Sequence, residues 1–230
     1  MNRSESQEKN FGRNLLRIGL VTAGALAVWG LAGCADKAVR PVSGAPAPAL
    51  PWWVASPSAP LPHGFPAPGP LGDVVIKQYP AYRAAVARGD GSSSDGSLFF
   101  PLFNHIEQRN IAMSSPVALT YDAAAPKGGS EPARSMAFIY GDAETGKPGT
   151  DGPVDVVSFP PGLFASLGVT GSYTQEHYQV TLKKLRAWLE EHHGDYSIAG
   201  EPRYLAYNSP FVLPFMRYGE VQIPVQRTVH

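Results

Sequence analysis

"RNIAMSSPVALTY", Arg109 to Tyr121, joins a polar helix end to a lone methionine, a Ser-Ser-Pro triplet and an alternating apolar run. Val117, Leu119 and Tyr121 recur every second residue, the mark of a strand with one face buried. Pro116 is tolerated as the first residue of such a strand, where its missing N–H takes nothing from the ladder. Asn110 is read as closing the helix, and Ile111 to Ser115 as carrying the chain across to a sheet. The stretch therefore predicts a helix that lies directly on a sheet, with most of its character set by packing.

Upstream, "LFFPLFNHIEQRN" places Leu98, Phe99, Leu102, Phe103 and Ile106 on one helical face, with Glu107, Gln108 and Arg109 turned away. Pro101 suits the first turn of that helix. "RGDGSSSDGS", Arg88 to Ser97, reads as a flexible loop: an EF-hand would need Gly and Glu where Asp95 and Pro101 stand. "DVVIKQYPAYRAAVA", Asp73 to Ala87, reads as a strand interrupted at Pro80, marking an edge or a bulge.

Downstream, Met136, Phe138 and Tyr140 alternate in "SMAFIYG", and a long hairpin loop joins this strand to the Val117 strand. The second half follows the same order. "GLFASLGVTG", Gly162 to Gly171, reads as a strand. "TQEHYQVTLKKLRAWLEEHHG", Thr174 to Gly194, reads as a helix striped by Tyr178, Leu182, Leu185 and Leu189, capped at its start by Thr174 or by Ser172 with Gln175, and with Gly194 at C′. Strands at Arg203–Asn208 and Met216–Val225 follow. Strand, helix, strand, strand thus occurs twice, which predicts an α+β domain: two helices on a curved, mostly antiparallel sheet, with a groove between helices and sheet.

The termini and composition set the address. The chain has 230 residues and 19 basic against 19 acidic side chains, so it carries no surplus of positive charge for a phosphate backbone, and nucleic acid is excluded as an expected partner. Arg13 and Arg17 precede the uncharged run Ile18 to Gly33, which is shorter than the roughly 20 residues of a comfortable membrane span and ends in "LAGC", Leu31 to Cys34. That is the layout of an export signal, and "LAGC" resembles the lipobox of bacterial lipoproteins, which implies lipid attachment at Cys34, the chain's one cysteine. Residues 1–33 are therefore expected to be a signal peptide, and the remainder to face the periplasm of a bacterial envelope. Ala35 after the cysteine favours the outer membrane. Between Pro41 and Pro70 lie ten of the 23 prolines, so 34–70 reads as a polyproline-like tether and 71–230 as the folded domain. Trp52, Trp53 and Phe65 are unusual in a plain spacer and suit either packing on the domain, the favoured reading, or a membrane interface.

Taken together, "VIKQYPAYRAAV", "FNHIEQRN", "IAMSSPV", the Met136–Tyr140 strand, "YTQEHYQVTLKKLRAWLEEH", "YLAYNSPF" and "RYGEVQIPV" resemble the SOUL haem-binding protein family, in that order, from about Val74 to Val225. The most specific pieces are "IAMSSPV", close to the family's Ile-Ala-Met-Thr-small-Pro-Val, and Arg217, Glu220 and Val221, close to its Arg-x-Asn-Glu-Val, with Gly219 in place of Asn. The resemblance implies a distorted antiparallel β-barrel with two helices, built from a duplicated β-α-β-β unit and shared with bacterial effector-binding domains. It also implies haem or a related porphyrin, held non-covalently in a hydrophobic groove beside the first helix.

Phe99, Leu102, Phe103, Ile106 and Met113 are the candidate groove residues, and each also suits plain core packing. His105, at the boundary of the apolar face, is the candidate axial ligand to haem iron, with His177 a lesser one. His63, His192, His193 and His230 are poor candidates by position. Lys77, Arg83 and Arg109 could meet haem propionates, although solvated side chains are their default, and Arg217 with Glu220 suits an ion pair or strand-end hydrogen bonds. No nucleophile elbow, H-E-x-x-H, Walker loop or G-x-G-x-x-G follows from the sequence, so a binding protein rather than an enzyme is expected. A pocket for a different amphipathic small molecule or lipid, or a structural envelope lipoprotein, stays open as an alternative.

Overall fold

The computed structural model describes residues 49–89, 95–121 and 133–228. The expected signal peptide, Cys34, the start of the tether, most of the Arg88–Ser97 loop and most of the hairpin loop after Tyr121 lie outside the described residues. The elements run β1 (Val74–Tyr79), β2 (Tyr82–Arg88), α1 (Asp95–Gln108), β3 (Val117–Thr120), β4 (Ser135–Ile139), β5 (Gly149–Asp151), β6 (Val154–Phe159), β7 (Gly162–Thr170), α2 (Gln175–Glu191), β8 (Tyr196–Ile198), β9 (Arg203–Ala206) and β10 (Tyr218–Arg227).

All ladders between these strands are antiparallel, in the order β1-β7-β10-β9-β3-β4-β2-β6-β5, with β8 on β10. That order reads alike from its centre outwards. β3 and β9 pair with each other, β4 and β10 flank them, and β2 and β7, the strands that lead into the helices, come next. The expected duplication is present in the topology. The expected barrel is not closed: β1 and β5 end the sheet at opposite edges. Pro80 falls between β1, which pairs with β7, and β2, which pairs with β4 and β6, so it marks a change of partner rather than a bulge in one strand.

Local chemistry places the helix ends. α1 begins three residues before Leu98, so Pro101 lies inside the helix rather than in its first turn. Asn110 takes φ 53°, and the Ile111 N–H reaches back to the Ile106 carbonyl at 2.9 Å, a left-handed closure that asparagine tolerates better than other side chains. Thr174 caps α2 through the His177 N–H, and the helix closes at His192, so Gly194 stands one residue beyond C′. The crossing that follows α1 is pinned by its serines: Ser114 donates to the Ile139 carbonyl and Ser115 to the Tyr207 carbonyl.

The two faces of the sheet are filled differently. On one, Leu98, Leu102 and Ile106 of α1 and Tyr178, Leu182, Leu185 and Leu189 of α2 close over Met136, Phe138, Leu167, Tyr204, Val221 and Ile223. On the other lies the Pro-rich segment. From Leu50 it is part of the fold, with Val54 buried and Trp53, Leu61 and Phe65 packed near Tyr79, Leu205, Tyr207 and Tyr218. The tether expected to run to Pro70 therefore ends by Ala49, because the apolar side chains among its prolines have a sheet face to cover.

Beneath this strap sits a fully buried carboxylate. Glu220 accepts from Lys77 at 2.5 Å, the Gly69 N–H at 2.7 Å, Tyr218 at 2.7 Å, Ser166 and the Gln222 amide at 2.9 Å, and Tyr207 at 3.3 Å. Burial by itself would raise its pKa, but the Lys77 ammonium and these donors hold it below the usual carboxylate value. Burial in turn lowers the pKa of Lys77, against the pull of Glu220. Lys77 is thus neither solvated nor available to a propionate. Arg217, the other expected partner of Glu220, instead donates to the Val212 and Pro210 carbonyls.

Two glycines mark close approaches on the two faces. A Cβ at Gly168 would stand 2.3 Å from the Pro70 carbonyl oxygen under the strap, and one at Gly219 would stand 2.6 Å from the Tyr204 ring on the helix face. Gly219→Ala is expected to destabilise the domain by about 1–3 kcal/mol, the scale of overpacking, measured by urea unfolding. Lys77→Met strands a buried carboxylate and is expected to remove about 3–5 kcal/mol in the same measurement. Because the folded pKa of Glu220 lies below its unfolded value, its contribution is present at neutral pH and is lost as pH falls through the folded value. An undiminished Lys77→Met protein would show that the pair does not hold the strap face together.

Candidate functional site

The two helices straddle the middle of the sheet. α1 packs on β2, β4 and β6, and α2 on β7 and β10, so β3 and β9 run between them as the floor of a shallow valley. Along it Val117 is half-buried, while Leu119, Tyr204 and Ala206 are buried. Phe99 and Phe103, half-buried and stacked on each other with centroids 5.8 Å apart, form one wall, and Phe99 meets Phe138 edge-on at 5.3 Å. Met113 and Ile111 lie half-buried where the chain leaves α1. Opposite, Tyr178 lies against Tyr121 and Tyr204, and Tyr173 crosses Tyr204 edge-on. Burial pushes the Tyr173 and Tyr178 phenols up to about 12 and Tyr204 higher still, so all three are neutral hydroxyls at any physiological pH.

The candidate residues on α1 divide between three directions. Leu102 and Ile106 point straight into the core. Phe99 and Phe103 flank them on one side, where Phe99 meets Phe138 of β4, while His105 flanks them on the other, beside Asp151 of β5. There His105 is buried beside an open cleft of about 440 Å³, lined also by Phe100, Asn104, Gln108, Asp151 and Pro153. His105 Nε2 meets the Tyr140 hydroxyl at 2.7 Å. Its Nδ1 lies 2.8 Å from an Asp151 carboxylate oxygen, close enough for charge pairing but without a well-directed hydrogen bond. The same carboxylate pairs with Arg109. Burial, then Arg109, lowers the pKa of His105 against the opposing pull of Asp151, which favours the neutral ring. Both ring nitrogens face protein partners, and the ring lies across the helix from the valley.

Asp151 went unread in the sequence, although its signal was present. Gly152-Pro153 is a turn dipeptide, followed by alternating Val154 and Val156, and it closes the β5–β6 hairpin that carries Asp151 to His105. The basic residues are likewise committed: Arg83 donates to the Thr145 and Gly146 carbonyls, and Arg109 to Asp151. On α2, His177 Nδ1 lies 3.1 Å from the Ser172 carbonyl and 3.2 Å from the Tyr204 hydroxyl, at the end of the valley floor. Among the described residues no group of three or more His, Cys, Asp and Glu side chains could hold a metal ion.

A family model described as SOUL heme-binding protein matches residues 68–224, both helices and all of the sheet except the last residues of β10. The chain belongs to the SOUL heme-binding protein family. Members of this family are small-molecule-binding proteins, and so is this one at that level of description. No curated protein matches the chain. Among solved structures, the C-terminal domain of EcmrR is similar with 16% identity and a TM-score of 0.53, covering 68% of this chain and 98% of that one. The EcmrR–DNA complex gives 14% and 0.53 over 68% of this chain, which spans only 58% of the EcmrR chain there. An uncharacterized conserved protein from Listeria innocua gives 11% and 0.52, covering 70% of this chain and 94% of that one. At these identities the likeness is one of fold.

For this SOUL domain, the His105 cluster is a latch between α1 and the β5–β6 hairpin. The folded pKa of His105 lies below the ordinary 6.5, so its stabilising contribution is present above that value and is lost as pH falls through it. Melting temperatures measured from pH 8 to pH 5 are expected to fall on the acid side, and His105→Gln is expected to flatten that fall. An unchanged pH profile in the variant would remove His105 from the latch.

Proposed function

We propose that the protein binds haem, or a related amphipathic tetrapyrrole, non-covalently in the valley between α1 and α2, while an acylated Cys34 holds it at the periplasmic side of a bacterial envelope membrane. The observation that carries the ligand reading is the pair of half-buried stacked rings, Phe99 and Phe103, beside an apolar floor in a SOUL family domain. An aromatic wall of this kind lets a macrocycle stack offset or edge-on, with apolar area removed from water on both partners. The tyrosine hydroxyls at the far side and the His177 ring are the polar groups within the same strip. When bound, haem would supply the iron. The chain supplies the slot, and His105 is not its ligand in this arrangement. The anchoring reading rests on "LAGC" after an uncharged run preceded by arginines. Sequestration, transfer and sensing of the ligand all suit a tethered binding domain.

A hemin titration followed by absorbance tests the ligand reading. A saturable Soret change at one equivalent is expected, weakened roughly tenfold by Phe103→Asp and left in place by His105→Ala. Weak, unsaturable binding would overturn it. Loss of the band in His105→Ala with an unchanged fold would instead move the site to the cleft at Asp151. A thermal-shift screen of other amphipathic ligands separates the haem reading from a different cargo, because any ligand bound only by the native state raises the midpoint.

A further inference from the structure

Four large apolar side chains stand in solvent in two neighbouring segments: Trp52 is 93% exposed, Phe211 71%, Phe215 61% and Leu213 56%. Trp52 belongs to the strap and the other three to the loop between β9 and β10, about 160 residues apart in the chain. Hydrogen bonds fasten the segments together. The Ala55 N–H donates to the Met216 carbonyl at 2.9 Å, Asn208 Nδ2 to the Ser56 carbonyl at 2.7 Å and the Ser209 N–H to Ser58 Oγ at 2.8 Å. The guanidinium of Arg217 turns inwards onto the Val212 and Pro210 carbonyls, which bridges the loop and keeps its own charge off the tip. From Pro41 to Gly72, and again from Asn208 to Met216, the sequence has no Asp, Glu, Lys or Arg.

A fixed, uncharged group of tryptophan, phenylalanine and leucine side chains is costly in water and favourable at the boundary between lipid headgroups and acyl chains. The remaining chain says which boundary is near. Ala49, where the described strap begins, follows Cys34 by about fifteen residues, and even as extended polyproline II these reach only roughly 50 Å. A lipid on Cys34 therefore keeps this corner of the domain close to the bilayer that holds it. We propose that Trp52, Leu213 and Phe215, with Phe211 in the same loop, form a foot that enters the interface of that bilayer, so that the domain is oriented on the membrane as well as tethered to it. This rests on the anchoring reading given above.

The introduced cysteine of Phe215→Cys tests it in the full chain, because Cys34 is the chain's one cysteine and its acylation would leave the new thiol as the sole labelling site. The protein, labelled with a polarity-sensitive fluorophore, is reconstituted into phosphatidylcholine–phosphatidylglycerol vesicles and floated on a density gradient. Val180→Cys, on the outer face of α2 and 53% exposed, serves as the reference. The expected result is a blue-shifted emission and severalfold weaker iodide quenching at position 215 in the floated vesicles, with position 180 unchanged from detergent. Equal quenching at both positions in protein that does float overturns the foot while leaving the anchor. Shielding at 215 that appears in detergent and grows with protein concentration also overturns it, in favour of a second copy of the chain. A protein that stays at the bottom, with Cys34 taking the label, fails the anchoring reading and the foot together.

Discussion

A carboxylate cut off from water must find its whole set of donors inside the protein, and Glu220 gathers them from the strap and from four neighbouring strands of the sheet. Its ammonium partner comes from β1, a hydroxyl from β7, a phenol from the residue after β9, two groups from β10 itself and one backbone N–H from the strap. These requirements bind the register of three strands together, since Lys77, Ser166 and Glu220 must converge on one point. They also require the strap. Without Gly69 the carboxylate loses a donor, and without the Ala67 carbonyl Lys77 loses an acceptor at 2.7 Å. Gly168 is glycine because the strap's backbone passes too close for a side chain.

The two faces of the sheet are saturated to different degrees. The strap face holds polar groups that already satisfy one another, whereas the helix face is mostly apolar, with Phe99, Phe103, Ile111, Met113 and Val117 half-buried around a buried floor. The pseudo-two-fold order of strands sets the helices apart by the width of β3 and β9, and so makes the valley. Its two walls differ because the halves have diverged: phenylalanines stack along α1, while tyrosines stack beneath α2. One side is therefore apolar, while on the other Tyr121, Tyr173 and Tyr204 direct their hydroxyls to partners within the protein.

Periodicity made the doubled unit legible. The alternation at Val117, Leu119 and Tyr121, the stripes on both helices and Asn110 as a helix terminus all correspond to the structure. What periodicity could not carry is which flank of a helix faces which neighbour. Phe99, Phe103 and His105 lie within two turns of α1 and read as one surface, yet their partners divide them: Phe99 meets Phe138 within β4, while His105 meets Tyr140 beyond the end of β4 and Asp151 of β5. Lys77 was equally hidden. A lysine in an alternating strand reads as solvated unless its partner, here 143 residues away, is known. The β5–β6 hairpin was missed because β5 is only three residues long, although its Gly-Pro turn was in view.

The Pro-rich segment was misread for a different reason, and its hydrogen bonds show why. Proline lacks an N–H but keeps its carbonyl, so such a segment is rich in acceptors and poor in donors. On this sheet its carbonyls at Ser56, Pro60, Ala67 and Gly69 meet donors from Asn208, Ser115, Lys77 and Tyr218. Its donors are the residues between the prolines: Ala55, Ser58, Ala59, His63 and Gly69 each give an N–H to the domain. The composition that suggests a free spacer is thus also the composition of a strap whose few donors are placed where acceptors wait. This changes the mechanics of any tether. A leash counted from Cys34 to Leu71 would reach more than roughly 100 Å; counted to Ala49 it would reach less than half of that. The strap thus belongs to the fold rather than to a spacer: it covers the sheet face opposite the helices and is fastened there by the same buried carboxylate that gathers β1, β7 and β10.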